Sequence, residues 1–278
     1  MLLLWSALNR DKFDPKLYLY HYTSFETALK ILYSGSFRLS PLSNTNDTTE
    51  QKCRVSYAFK RTDEMNGLIT CFENEWQKLV SNSKLLCFSQ DHKKSSTFKN
   101  ADFNIFDVSG RGFALPRMWA QYSNNNGVCI IVEKNKLLDL VKESFPNAIY
   151  QPVRYRTDNN RFEFSEETLR QVCNILNAQH NLEVVSSFLQ KKDGFINYAF
   201  FSKSNDWSNE CEYRVFVPTS EPGFLWLKGI QGCIAGLVVG EKIDESKSYV
   251  LQKIWPSIKM RRIVFEPSRC TLENFRQV

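Results

Sequence analysis

The run Leu17-Tyr18-Leu19-Tyr20-His21-Tyr22, followed by Thr23-Ser24-Phe25-Glu26, joins a strand pattern to a helix pattern with no linker between them. Its first part is continuous apolar and aromatic sequence, the signature of a buried strand. Its second part has capping-box spacing, in which Thr23 accepts from an amide of the first turn and Glu26 reaches back to the amide of Thr23. A helix is predicted to start there, with Phe25, Ala28, Leu29 and Leu32 on one face and Gly35 as its left-handed stop. His21, Tyr22 and Thr23 then form a strand-to-helix turn.

Outward from that turn, Phe37 to Leu39 reads as a second short strand. The polar loop Ser43-Asn44-Thr45-Asn46-Asp47 is suited to cap a helix beginning near Thr48, with Glu50 on its first turn. Leu85 to Ser89 reads as a third strand, and Gln90 to Phe113 as a long loop of the kind that often carries function. Pro116 to Tyr122 is a predicted short helix, after which Asn124-Asn125-Asn126-Gly127 turns into the strand Val128 to Val132. Ser165 is placed to cap a helix with Glu166 and Glu167 in its first turn and Leu169, Val172, Ile175 and Leu176 along one face. More helix is expected through Phe188 and Tyr198. Glu212 to Val217, Leu237 to Val239 and Arg262 to Phe265 are further strands. Strands and helices mix without internal repeat or regular β-α-β alternation. The expectation is an α+β fold of mixed, mainly antiparallel sheets with flanking helices. The scarcity of Pro-rich, Gly-rich or Ser-rich linkers favours one elaborated domain over residues 1–278.

With 42% hydrophobic and 24% charged residues, the 278-residue chain has the composition of a globular protein. Arg10, Asp11 and Lys12 follow the short apolar start Met1-Leu2-Leu3-Leu4-Trp5 before a signal-peptide core is complete. The run Ile230 to Gly240 contains Gly232, Gly236 and Gly240, is about half the length of a membrane-spanning helix, and reads as a buried strand. Eight scattered cysteines contain no C-x-x-C pair, and most lie in apolar segments such as Leu85-Leu86-Cys87-Phe88. These features predict a cytoplasmic protein with reduced core thiols and no membrane partner. The net charge of +6 gathers partly in Lys253, Lys259, Arg261, Arg262, Arg269 and Arg276. Such a tail meets phosphates or forms a solvated basic face.

Phosphate-loop, dinucleotide-binding, H-E-x-x-H and G-x-S-x-G motifs are all missing. A three-histidine metal site would need all of His21, His92 and His180, so no metal site is assigned. Alternation along a strand would put Glu210, Glu212 and Arg214 on one face, where an arginine pairing one carboxylate leaves the other free to act. The same pattern suits an edge strand with solvated charges. His21, just before a helix start, suits an anionic ligand such as a nucleotide phosphate, or a structural role. Trp119 and Tyr122 share a helical face that stacks a ligand ring or fills a core.

At these residues the sequence resembles an uncharacterised bacterial family of domains of unknown function. Its elements read here as His21-Tyr22-Thr23, Asn46-Asp47-Thr48-Thr49-Glu50, Cys87-Phe88-Ser89, Met118-Trp119-Ala120-Gln121-Tyr122 and Glu210-Cys211-Glu212-Tyr213-Arg214. Their order is also similar to that of the ADP-ribosyltransferases, although the paired mid-chain tyrosines of the diphtheria-toxin-like pattern are missing. That second resemblance implies an ADP-ribosyltransferase-like fold and NAD as substrate. Glu212 would stabilise the anomeric cation, and Glu210 would orient or deprotonate the acceptor. His21 would bond a ribose hydroxyl within the turn it shares with Tyr22 and Thr23, Arg38 and Ser40 would contact pyrophosphate or ribose, and Tyr122 or Trp119 would pack on nicotinamide. It further implies a bacterial toxin or phage-defence effector with a macromolecular acceptor, RNA or DNA included, and an antitoxin or chaperone partner. Two other readings compete. One is a metal-dependent nuclease using Asp47, Glu50, Glu210 and Glu212 with Lys203 nearby; the other is a non-catalytic module that binds a nucleotide or partner protein.

Overall fold

The computed structural model of the chain describes residues 17–47, 50, 55–92, 108–157, 162–179, 195–219, 221–267 and 269–273. In chain order β1 (Tyr18–Ser24) leads into α1 (Phe25–Ser34), β2 (Ser36–Pro41), β3 (Val55–Tyr57), α2 (Asp63–Asn82) and β4 (Lys84–Ser89). Next come α3 (Pro116–Ser123), β5 (Gly127–Glu133), α4 (Lys134–Ser144), β6 (Ile149–Pro152), β7 (Arg154–Arg156), β8 (Phe162–Phe164), α5 (Glu166–Gln179) and α6 (Phe195–Phe200). The last part is β9 (Ser202–Ser204), β10 (Glu212–Val217), β11 (Leu225–Lys228), β12 (Ile234–Val239), α7 (Glu245–Ile254), β13 (Met260–Glu266) and β14 (Arg269–Glu273). The fold is α+β.

One ten-stranded sheet runs β11-β2-β4-β1-β5-β12-β13-β14, with β10 on β4 and β6 on β10. Every pairing in it is antiparallel except β12 with β13. Those two strands point the same way because α7 crosses over between them, as parallel neighbours require. On one face of the sheet, Leu19, Leu39, Leu86, Val128, Ile130, Val132 and Val215 pack against Ala28 and Leu32 of α1, Leu137 and Val141 of α4, and Leu251 of α7. On the other face, Leu85 and Phe216 meet Phe72 and Trp76 of α2, Leu169 and Val172 of α5, and Phe195 and Phe200 of α6. Further along that face, Tyr20, Tyr22 and Ile131 meet Met118 and Trp119 of α3.

Local details of the elements depart from the sequence expectation. The N-cap of α1 is Ser24, whose Oγ accepts from the Thr27 amide at 3.2 Å. Thr23 instead stays in the ladder opposite Val128, because β1 pairs with β5 without a break as far as Ser24 and Gly127. Ladder bonding outweighs a cap one residue earlier. The run from Ile230 is not one strand: Gly229, left-handed at φ 81°, opens a 3-10 turn over Ile230–Cys233 before β12 begins. β10 lies between β4 and β6 and is buried along its length, so its charges do not sit on a solvated edge. The cap by Ser165 and the left-handed Gly35 are as read from the sequence. The expected helix start near Thr48, Phe188 and His180 lie outside the described residues.

Candidate functional site

The sheet forks. β10 pairs with β4 along the whole of Lys84–Ser89. On the opposite edge of β4, β2 pairs only at Leu85 and Lys84, and β1 only at Ser89. Between these contacts, Leu86, Cys87 and Phe88 have no strand partner on that edge among the described residues. A cleft of about 430 Å³ opens at the fork. His21, Thr23, Arg38, Ser40, Cys87, Tyr122, Glu210 and Glu212 are all among the residues that line it.

His21 projects from β1 into the fork between the rings of Phe37 and Phe88, at centroid distances of 5.0 and 5.6 Å. Its Nδ1 lies 3.1 Å from the Cys87 carbonyl, an acceptor only, so the ring donates there and leaves Nε2 to accept. Loss of solvation lowers the imidazole pKa, only partly offset by that bond, and the ring is neutral at pH 7. The expected siting at a helix N-terminus does not hold: His21 lies within β1, and α1 begins at Phe25. A neutral hydrogen-bonding histidine suits a hydroxyl better than a phosphate.

A buried ionic cluster also reaches the cleft wall. Arg214 of β10 donates through Nε and Nη2 to the two Glu212 oxygens at 2.8 and 3.0 Å, through Nη2 to Glu50 at 2.7 Å, and through Nη1 to the Phe200 carbonyl at 2.6 Å. Lys203, from β9, bridges Glu212 at 2.8 Å and Glu210 at 2.9 Å. The Tyr122 hydroxyl donates to the other Glu210 oxygen at 3.2 Å. The amide of Glu212 donates to the Tyr155 hydroxyl at 2.7 Å, fixing the start of β10.

Burial alone would raise the Glu212 pKa, yet Arg214 and Lys203 hold it down at about 2. Burial raises Glu50 despite its pair with Arg214. For Lys203, burial would lower the pKa, but Glu212, Glu50 and Glu210 raise it, so the ammonium keeps its charge. Three carboxyl groups therefore surround two permanent cations, and Glu212 is ionised throughout the neutral range.

Glu210 does not share a strand face with Glu212, as alternation had predicted. It ends a 3-10 turn over Asn205–Glu210, and Cys211 follows in the left-handed region at φ 46°. That reversal, which disfavours a residue with a Cβ, brings Glu210 and Glu212 together on Lys203 instead. Trp119 is likewise corrected. It is fully buried, edge-on to Tyr22, with its indole N–H donated to the Phe113 carbonyl at 2.8 Å, and it does not line the cleft. Tyr22 reaches the cleft wall, but its hydroxyl is committed to the Gly112 carbonyl at 2.8 Å. Arg38 and Ser40, on β2, stand on the cleft wall.

Every member of the ionic cluster except Glu50 falls in the stretch from α3 to β10. A DUF2971 domain, of unknown function, lies at residues 118–215. The family's model, described as "Protein of unknown function (DUF2971)", begins at Met118 and ends at Val215. No curated protein and no solved structure matches the chain. The DUF2971 stretch thus supplies Tyr122, Tyr155, Lys203, Glu210, Glu212 and Arg214, while His21, Arg38, Ser40 and Cys87 come from the chain before it.

Sequence reasoning gave Lys203 no role beyond a neighbour of a nuclease centre and did not pick out Tyr155. A second buried group also went unread. Asp91 accepts the Gly112 amide at 2.7 Å and faces Arg111 at 3.4 Å, and Arg111 donates to the Tyr20 hydroxyl at 3.1 Å. This group ties the far end of the 90–113 segment to β1. Gly112 is required there, since a Cβ would lie 2.2 Å from the Tyr20 ring. Among the described residues no helix is long and apolar enough to cross a membrane.

Proposed function

We propose that the fork is the NAD site of an ADP-ribosyltransferase-like enzyme that passes ADP-ribose to a macromolecular acceptor, RNA or DNA included, as a toxin or phage-defence effector. The observation that carries this reading is the fork cleft itself, which a neutral histidine, two polar β2 side chains and a tyrosine line together with Glu210 and Glu212. In the reaction the bond between C1′ of the ribose and nicotinamide nitrogen breaks, nicotinamide leaves with the electron pair, and positive charge builds on the ribose. An acceptor nucleophile then bonds to C1′ and gives up its proton. Glu212, ionised far below neutral pH, supplies the fixed anion that this charge needs. Glu210, held by Tyr122 and Lys203, is the group to take the acceptor proton. His21 offers Nε2 to a ribose hydroxyl, and Ser40 offers its hydroxyl to the pyrophosphate.

The metal-dependent nuclease reading is less well supported. Among the described residues no group of three or more His, Cys, Asp or Glu is placed to hold a metal ion. Incubation with NAD labelled in its adenylate half, with RNA, DNA and protein acceptors and with or without EDTA, tests the choice. Label transfer that survives EDTA is expected. Activity on nucleic acid that needs a divalent ion and ignores NAD would overturn the proposal.

A further inference from the structure

The edge strand β11 and the residue before it present an unusual surface to the cleft mouth. Trp226 is 50% exposed and Phe224 44% exposed, although large aromatic side chains are normally covered. Trp226 pairs directly across from Arg38, so their side chains stand on the same face of the sheet, and both line the cleft. The Arg38 guanidinium lies 4.4 Å over the Phe224 ring. Lys228, exposed and two residues beyond Trp226, shares that face, and Lys30 lines the cleft wall nearby. An exposed indole, a guanidinium and Lys30 therefore line one opening, with a second exposed ring under that guanidinium and Lys228 on the face Trp226 occupies.

The position of this rim indicates what it meets. From β11 the sheet steps through β2 and β4 to β10, three strand spacings or about 14 Å from the strand that bears Glu212. A small substrate is largely enclosed by its pocket, whereas Trp226 stands half in solvent at the outer edge. That placement suits a polymer that runs on past the mouth. Alternating ring faces and cations match the two repeating features of an unpaired nucleic acid strand, a base that stacks and a phosphate that carries charge.

We infer that Trp226, Phe224 and Arg38 form a binding rim for single-stranded nucleic acid, with a base stacked on Trp226 and adjoining phosphates on Arg38 and Lys228. In the context of the proposed transferase, on which its functional meaning rests, the rim holds the acceptor strand and selects unpaired over paired substrate. Binding itself requires no turnover.

The test is fluorescence anisotropy with end-labelled single-stranded DNA and RNA and the matching duplex, on the full chain, alongside NAD binding by calorimetry and nicotinamide release. Wild type is expected to bind the single strand more tightly than the duplex, with affinity falling as salt rises. Trp226→Ala is expected to weaken single-strand binding about tenfold and Trp226→Phe to restore most of it. Arg38→Gln is expected to lower the salt slope by about 1. Trp226 is half-exposed, and a circular dichroism spectrum checks that the variants are folded. The inference is overturned if Trp226→Ala binds the single strand within twofold of wild type, or if that variant loses NAD affinity and keeps strand affinity. Single-strand binding without nicotinamide release would sink the transferase reading and leave the rim standing, and nicotinamide release without strand binding would do the reverse.

Discussion

Replacing Arg214 by Met tests the physical core of the site. The change keeps much of the apolar stem and removes a guanidinium that donates to both Glu212 oxygens, to Glu50 and to the Phe200 carbonyl. Two buried carboxyl groups are then left with Lys203 as their only cation in the cluster. The Glu212 pKa sits at about 2, down from the ordinary value of 4.5. At about 1.4 kcal/mol per pKa unit, that depression corresponds to roughly 3 kcal/mol of stability. The cost of breaking a buried ion pair from one side, about 3–5 kcal/mol, is of the same size. In wild type this contribution is fully present above the unfolded-state pKa of 4.5 and is lost as pH falls through the folded value of about 2. In Arg214→Met, burial is less opposed and pushes the Glu212 pKa upward, so protonation relieves the variant as the pH falls. Urea unfolding at about pH 7 and about pH 4.5 should therefore show a loss of about 3–5 kcal/mol at the higher pH that shrinks at the lower one. The double variant Glu212→Gln/Arg214→Met should recover part of the loss at neutral pH. A loss below about 1 kcal/mol, or one that does not change with pH, would refute the reasoning.

Other expectations are simpler to check. Tyr122→Phe removes one hydrogen bond to Glu210 at the edge of the cleft and should cost no more than about 1 kcal/mol in thermal unfolding. If Glu210 takes the acceptor proton, the same variant should slow transfer more than it slows NAD hydrolysis. Gly67→Ala, on an exposed face of α2 with open space around a new Cβ, should stabilise the fold by about 0.5–1 kcal/mol in urea unfolding. Gly112→Ala should instead destabilise by about 1–3 kcal/mol, because its Cβ would collide with the Tyr20 ring and the Gln90 backbone.

Much of the framework was legible because local patterns and the tertiary fold agree. The apolar runs at Leu85 and Val128, the helix period after Phe25 and the left-handed glycine at 35 each read correctly from neighbours in sequence. The cap at Ser24 was displaced by a long-range ladder that no local pattern reports. The sequence brought Glu210 beside Glu212 by strand alternation, whereas a 3-10 turn does so, because alternation presumes an unbroken strand and nothing in the sequence signals that Cys211 turns left-handed. The pairing of Lys203 with two carboxylates, the choice of Trp119 as core and Tyr122 as cleft wall, and the fork between β1 and β2 all depend on strand order. Trp226 carried no motif and was passed over, since exposure cannot be read from residue type alone.

The central claim is that the fork binds NAD and that Glu212 acts on it, and nicotinamide release measures this most directly. Wild type should release nicotinamide from NAD, and Glu212→Gln, checked for its fold, should lower kcat by about 100-fold or more with KM little changed. Folded wild type that releases no nicotinamide with any acceptor present, or a Glu212→Gln variant with full activity, would contradict the account.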